Sequence, residues 1–186
     1  MRAADDRGDQ HGVTDMRTGC PNAAWLVRGQ AEQARFECVR GEKQWSERSF
    51  FLQHYYAALA HSHIDVYEQY GAQALERCDA MWPRLTRSLL LRVAVVASQA
   101  HFLRGRALVL AASQSAGTER RVLLKRLDKT HRWLARHGLA AALPWSQLLS
   151  AQGALLQERQ DEAVRLLRLA HQGFADTGMR LCQETS

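Results

Sequence analysis

Proline is almost missing from this chain, with three residues in 186, and the 12 glycines are scattered rather than clustered. The scarcity of proline favours long helices over many turns. Dispersed glycines leave no loop that could cradle a phosphate. β-branched residues are thin outside Val93–Val96, which removes the usual material of strands. Cys20, Cys38, Cys78 and Cys182 stand singly, with no CxxC and no close pair. They read as small buried hydrophobes in a reducing compartment, not as a disulfide frame or a zinc site. Residues 1–20 contain no apolar core of a signal peptide. The longest charge-free run of the most apolar segment, Val93–Leu103, falls short of the roughly 20 residues a membrane span needs. A cytoplasmic protein without a membrane segment is expected.

What is present is helix-forming and repetitive. Ala, Leu, Arg and Gln dominate, all good helix formers. Gln33-Ala34-Arg35-Phe36-Glu37-Cys38 and Gln73-Ala74-Leu75-Glu76-Arg77-Cys78 share Gln, Ala and Cys at an offset of 40 residues. Glu162-Ala163-Val164-Arg165-Leu166-Leu167 returns to the theme, with Ala163 placed 89 residues after Ala74. Recurrence at such a period marks stacked helical hairpins, a fold that binds more often than it catalyses. The expected fold is all-α: a right-handed, tetratricopeptide-like solenoid of about eight helices in four antiparallel pairs. It forms a single domain over 9–180, with 1–8 disordered or clipped and 181–186 a tail.

The apolar spacing maps the helices. Asp9–Val27 reads as a first helix, weakened by Gly12, Gly19 and Pro21-Asn22, and Ala31 to about Trp45 as a second, with Ala34, Cys38 and Val39 inward. Ser46 and Ser49 are placed to cap the next start. Phe51, Tyr55, Leu59 and Ser62 then stripe a third helix over about Phe50–Gln69, and a fourth runs from Gln73 to Trp82, stopped by Pro83. Arg84–Ser115 reads as one long helix, apolar over much of its circumference, which belongs between neighbours. A basic helix follows from Thr118 to about Arg136, ended by His137-Gly138. Pro144 suits the first turn of a helix over Leu143 to about Gln157. The last helix opens at Asp161 with Ala163, Leu166, Leu167, Ala170 and Phe174 inward.

Chemistry-bearing patterns are few. His54 and His61 share a helix face near Asp65, but His61 and His63 diverge by about 200° and no further ligand completes a metal set. There is no GxSxG elbow, no nucleophile motif, and none of the glycine-rich loop, HRD or DFG of a protein kinase. Asp161-Glu162 sit where negative charge suits a helix start. No enzymatic role and no cofactor are expected for this chain.

Charge is concentrated. Between Thr118 and His137 stand seven basic and two acidic residues, which supply five of the six net positive charges. Arg121, Lys125, Lys129, Arg132 and Arg136 form one helical stripe, and Leu123, Leu127, Thr130 and Leu134 another. The stripe reads first as a solvated outer face and otherwise as a contact for phosphate or an acidic partner. Trp25, Trp45, Trp82, Trp133 and Trp145 fall near helix ends, as wedges between hairpins or as anchors of a groove. A partner groove would draw on Tyr55, Tyr56, Arg92 and Gln99.

Three runs carry a family resemblance. Arg7-Gly8-Asp9 with Thr14-Asp15-Met16-Arg17-Thr18-Gly19, Ala24-Trp25-Leu26 and Ala34-Arg35 is the first. Trp45-Ser46 with Phe51-Leu52-Gln53-His54-Tyr55-Tyr56 and Ile64-Asp65-Val66-Tyr67 is the second. Trp82-Pro83 with Arg87-Ser88-Leu89-Leu90-Leu91-Arg92 and Phe102-Leu103-Arg104-Gly105-Arg106 is the third. Their order over residues 7–180 resembles the C-terminal helical-repeat region of large bacterial serine/threonine protein kinases. In those, a kinase domain and an ATPase-like module precede tetratricopeptide-like repeats. These are packing residues, so the resemblance implies architecture and carries over no catalytic position. Where related regions place Gly-Asp after the position of Tyr67, this chain has Glu68-Gln69-Tyr70-Gly71, and it stops soon after Phe174-Ala175-Asp176-Thr177-Gly178-Met179. The resemblance implies a protein-interaction or sensory scaffold of kinase signalling, with a protein or peptide partner, itself a fragment of a larger kinase. The alternatives are a nucleic-acid-associated regulator using the basic helix 118–137, and a truncated product without function.

Overall fold

In a computed structural model, residues 10–43, 45, 50–180 and 182 are described, and the side chains of Gln10 and Cys20 are not. The 1–8 segment, Ser46, Ser49 and all of the 181–186 tail except Cys182 lie outside that set. The described residues are mostly helical and contain no strand. Contacts divide the chain into two compact units, Met1–Leu91 and Arg92–Ser186.

In the first unit α1 spans Gln10–Arg17, α2 Gly19–Val27, α3 Ala31–Glu42, α4 Leu52–Tyr67 and α5 Gly71–Arg87. The expected first helix is therefore two, divided at Thr18, whose hydroxyl donates to the Thr14 carbonyl at 2.8 Å. The helix α4 packs against α2, α3 and α5. Its core stripe holds Tyr55, Leu59 and Ile64, while Phe51, expected on the same stripe, is exposed. Val39, expected inward on α3, is exposed as well. The inward place is held instead by Glu37, which meets Arg17 at 3.3 Å with both side chains buried. Asn22 Nδ2 donates to the carbonyls of Arg17 and Ala34, tying α2 to α1 and α3.

Pro83 does not stop α5; the helix continues through it to Arg87. Pro83 lies on an exposed part of the helix, where the ring finds room. The break comes later. Leu89 takes a left-handed φ of 64° and is followed by a short 3₁₀ turn, Leu90–Arg92. The long helix expected over Arg84–Ser115 is thus interrupted where the two units divide.

The second unit contains α6 Ala94–Gln114, α7 Gly117–Arg136, α8 Ala142–Leu155 and α9 Gln160–Asp176. The helix α6 packs on α7 and α8, α7 on α8, and α8 on α9. Pro144 sits buried in the first turn of α8, where its missing N–H is an orphan anyway. Small residues let these helices approach. A Cβ built on Gly105 of α6 would lie 3.0 Å from Leu149 Cδ2 of α8 and 3.2 Å from its Cγ, with Cδ1 closer still. A Cβ on Gly173 of α9 would lie 3.0 Å from Pro144 Cβ.

One turn recurs across the chain. Gly29, Gln69 and Glu158 all adopt left-handed φ values, 72°, 65° and 61°. Each is followed by a residue near φ −90 to −105° and ψ 60 to 69°, namely Gln30, Tyr70 and Arg159. The hydrogen bonds repeat in register: Gln30 N to Trp25 O, Tyr70 N to Asp65 O and Arg159 N to Ala154 O, each near 2.9 Å. This is a helix stop of the Schellman kind running directly into the next helix. Five residues beyond each left-handed residue stands an alanine, Ala34, Ala74 or Ala163, at 0% exposure. The offsets of 40 and 89 residues found in the sequence are therefore the offsets of one turn-and-alanine element.

Candidate functional site

The basic helix α7 is built as its two stripes require. Leu123, Leu127, Thr130 and Leu134 are buried. Full burial of a leucine stabilises by about 1.5–3 kcal/mol, which fixes the rotation of the helix about its axis. Arg121, Lys125, Lys129, Arg132 and Arg136 are consequently all exposed. Gly117 takes a φ of 55° at the corner, and Arg120 Nε reaches back to the carbonyls of Ala112 and Ser115 at 3.0 and 2.9 Å. Arg120 thereby caps the C-terminal end of α6, where carbonyls lack helical partners and positive charge is favoured.

The remaining cations differ in what they touch. Arg121 donates to Thr118 Oγ1 at 3.1 Å, and Arg132 pairs with Asp128 at 3.0 Å. Lys125, Lys129 and Arg136 form no ion pair among the described residues. His131 meets Asp128 at 3.3 Å, yet burial holds its pKa below the usual imidazole value.

Trp133 lies at the centre of this face. Its ring stacks on His101 of α6 with centroids 3.7 Å apart and on His137 with centroids 4.1 Å apart. Burial, with Arg104 and His137 adding to it, pushes the His101 pKa down to about 4, so the imidazole is neutral at pH 7. Two clefts flank the indole. One, of about 300 Å³, is walled by His101, Arg104 and Leu108 of α6 and by Arg126, Lys129 and Thr130 of α7. The other, of about 340 Å³, is walled by Lys129, Arg132, Arg136 and His137. Both share Lys129 and Trp133. His137 Nε2 is buried with no hydrogen-bond partner among the described residues.

The groove residues expected from sequence are distributed otherwise. Tyr55 is fully buried in the first unit, so it serves the core and offers nothing to a partner. Tyr56 and Gln99 are half-buried, and Arg92 is exposed in the 3₁₀ turn. The tryptophans Trp25, Trp45, Trp82, Trp133 and Trp145 are all half-buried. Trp45 Nε1 donates to Thr14 Oγ1 at 2.8 Å, and Trp145 stacks on Phe102 at 4.8 Å.

Chain comparison adds no relative. No family model, no curated protein and no solved structure matches the sequence or the fold.

Several titratable groups of the first unit hold helices together. His54 Nδ1 accepts the Phe51 N–H at 3.0 Å, and His61 Nε2 meets Glu42 at 3.2 Å. That bond to His61 holds the Glu42 pKa below the usual carboxylate value against burial. Asp65, 1% exposed, is clamped by Arg35 and Arg77, each at 2.9 Å. A cleft of about 450 Å³ beside α3, α4 and α5 is lined by Glu42, Arg77 and Arg84 among others. Three of its charged groups are already engaged: Glu42 by His61, Arg77 by Asp65, and Arg84 by the face of Phe50 at 5.2 Å, while Lys43 also lines it. Among the described residues no three His, Cys, Asp or Glu side chains converge to hold a metal ion, and no helix is long and apolar enough to cross a membrane. The α6–α7 face gathers cations from two helices, and on α7 Lys125, Lys129 and Arg136 form no ion pair among the described residues. Sequence spacing placed its exposed stripe; it missed the contributions of His101 and Arg104, which come from another helix.

Proposed function

We propose that the chain is a non-catalytic, tetratricopeptide-like module that binds a protein partner through helical hairpins. In this reading it acts as an interaction or sensory scaffold in bacterial serine/threonine kinase signalling. The turn-and-alanine element carries the reading. Three copies of one helix stop, each delivering a buried alanine five residues later, are what a chain of repeated hairpins requires. The packing of α6 on both α7 and α8 supports the same view, since stacked hairpins contact the first helix of the next pair. The kinase placement rests on the sequence resemblance alone.

Capture from source cells with the full chain as bait, then reconstitution from purified components, tests it. The expected result is a defined protein complex of fixed stoichiometry, with a kinase-pathway component as partner. Nuclease-sensitive nucleic acid as the only bound species overturns the proposal and favours a nucleic-acid regulator, the reading that the exposed Arg121, Lys125, Lys129, Arg132 and Arg136 stripe would then serve.

A further inference from the structure

We infer that the two clefts beside Trp133 form one trough that takes a short, extended, Asp/Glu-rich segment of a protein, its carboxylates held by Arg104, Lys129 and Arg136. The inference rests on the protein-binding reading above and names the chemistry of the bound segment. Lys129 and Trp133 wall both clefts, so the clefts adjoin at these two residues along α7. From Arg126 to Arg136 the helix rises about 15 Å, the length of about five extended residues. Cations enter from both sides, Arg104 from α6 and Arg126, Lys129, Arg132 and Arg136 from α7. Between Arg126 and Arg136 the one acidic residue on α7 is Asp128, already shared by Arg132 and His131. His137, stacked on Trp133, walls the end of the second cleft.

The same geometry disfavours single-stranded nucleic acid as occupant. Such sites present aromatic rings on which bases stack. Trp133 is the one indole of the trough, and its ring is already engaged by His101 and His137. A carboxylate needs no free ring face, only the converging donors.

Fluorescence anisotropy with a labelled hexaglutamate peptide and the full-length protein tests the site. The double variant Lys129→Glu/Arg136→Glu is compared with Arg165→Glu/Arg168→Glu, which makes the same charge change on exposed positions of α9. Two lost surface pairs predict about tenfold weaker binding for the trough variant and less than about twofold for the control. Far-UV circular dichroism verifies that both variants keep the helical fold. Equal losses in the two variants overturn the trough, because they mean that only net charge was read. No binding of hexaglutamate, or tighter binding of an oligonucleotide of equal charge, overturns the acidic-segment assignment. A protein complex that forms undiminished with the trough variant sinks this inference and leaves the interaction-module reading standing.

Discussion

Gly105→Ala tests the closest helix crossing of the second unit. A methyl at this position would sit 3.0 and 3.2 Å from Leu149 Cδ2 and Cγ and closer still to Cδ1. Leu149 is 0% exposed, so it has no solvent to swing into, and the strain must be taken by the α6–α8 contact. Overpacking of this kind costs about 1–3 kcal/mol. Replacing glycine by alanine inside a helix returns about 1 kcal/mol through propensity. Three leucine carbons inside ordinary contact place the cost in the upper part of its range, for a net loss of about 1–2 kcal/mol. A unit of this size loses about 4–8 °C in Tm per kcal/mol. Thermal and urea unfolding of the full chain, followed by far-UV circular dichroism, measure the change. Leu149→Ala alone costs about 2–5 kcal/mol through the cavity it leaves. In the double variant the new methyl meets that cavity, so the two effects should sum to less than their separate costs. A stabilised Gly105→Ala variant, or strict additivity, refutes the close crossing.

Other outcomes follow from the same contacts. Gln69→Gly and Glu158→Gly should each stabilise by up to about 1 kcal/mol, and Gly29→Ala should destabilise by a similar amount, since the three share a left-handed turn; urea midpoints decide. Asp65→Asn should destabilise by about 2–3 kcal/mol. This lies below the full cost of breaking a buried pair because Arg35 and Arg77 remain about one-third exposed to water; chemical denaturation reads it. His101, held at a pKa of about 4 when folded, binds a proton more readily when unfolded. Its contribution to stability is therefore complete above about pH 6.5 and is lost as the pH falls toward 4. His101→Phe should flatten the decline of Tm across that window. Burial pushes the Cys38 thiol up to about 12, so it should resist alkylation at pH 8 until the chain unfolds, as mass spectrometry of the labelled sites would register.

The sequence carried the helices wherever burial follows a simple period. Leu123, Leu127, Thr130 and Leu134 fall at three- and four-residue steps, and burying them points the cationic stripe outward. Ala34, Ala74 and Ala163 were visible as a repeat because close crossing tolerates little else. The misreadings have physical causes. Ser88-Leu89-Leu90-Leu91 reads as continuing helix, but Leu89 takes a left-handed φ, a state that propensity assigns to glycine or asparagine. Pro83 reads as a stop, although an exposed helix side accommodates it. Tyr55 offered itself as a groove aromatic, whereas its ring fills the core of the first unit. The Arg17–Glu37 pair and the His101–Trp133 stack join residues of different helices, and no local spacing encodes such meetings.

The most direct test is a ¹H–¹⁵N NMR titration of the full chain with hexaglutamate, observing the five indole N–H signals and the backbone amides together. The account predicts saturable shifts at the Trp133 indole and at the amides of Arg104, Lys129, Arg136 and His137, with the indoles of Trp25, Trp45 and Trp82 unmoved. Shifts scattered over both units, or centred on the first unit with Trp133 silent, would contradict it.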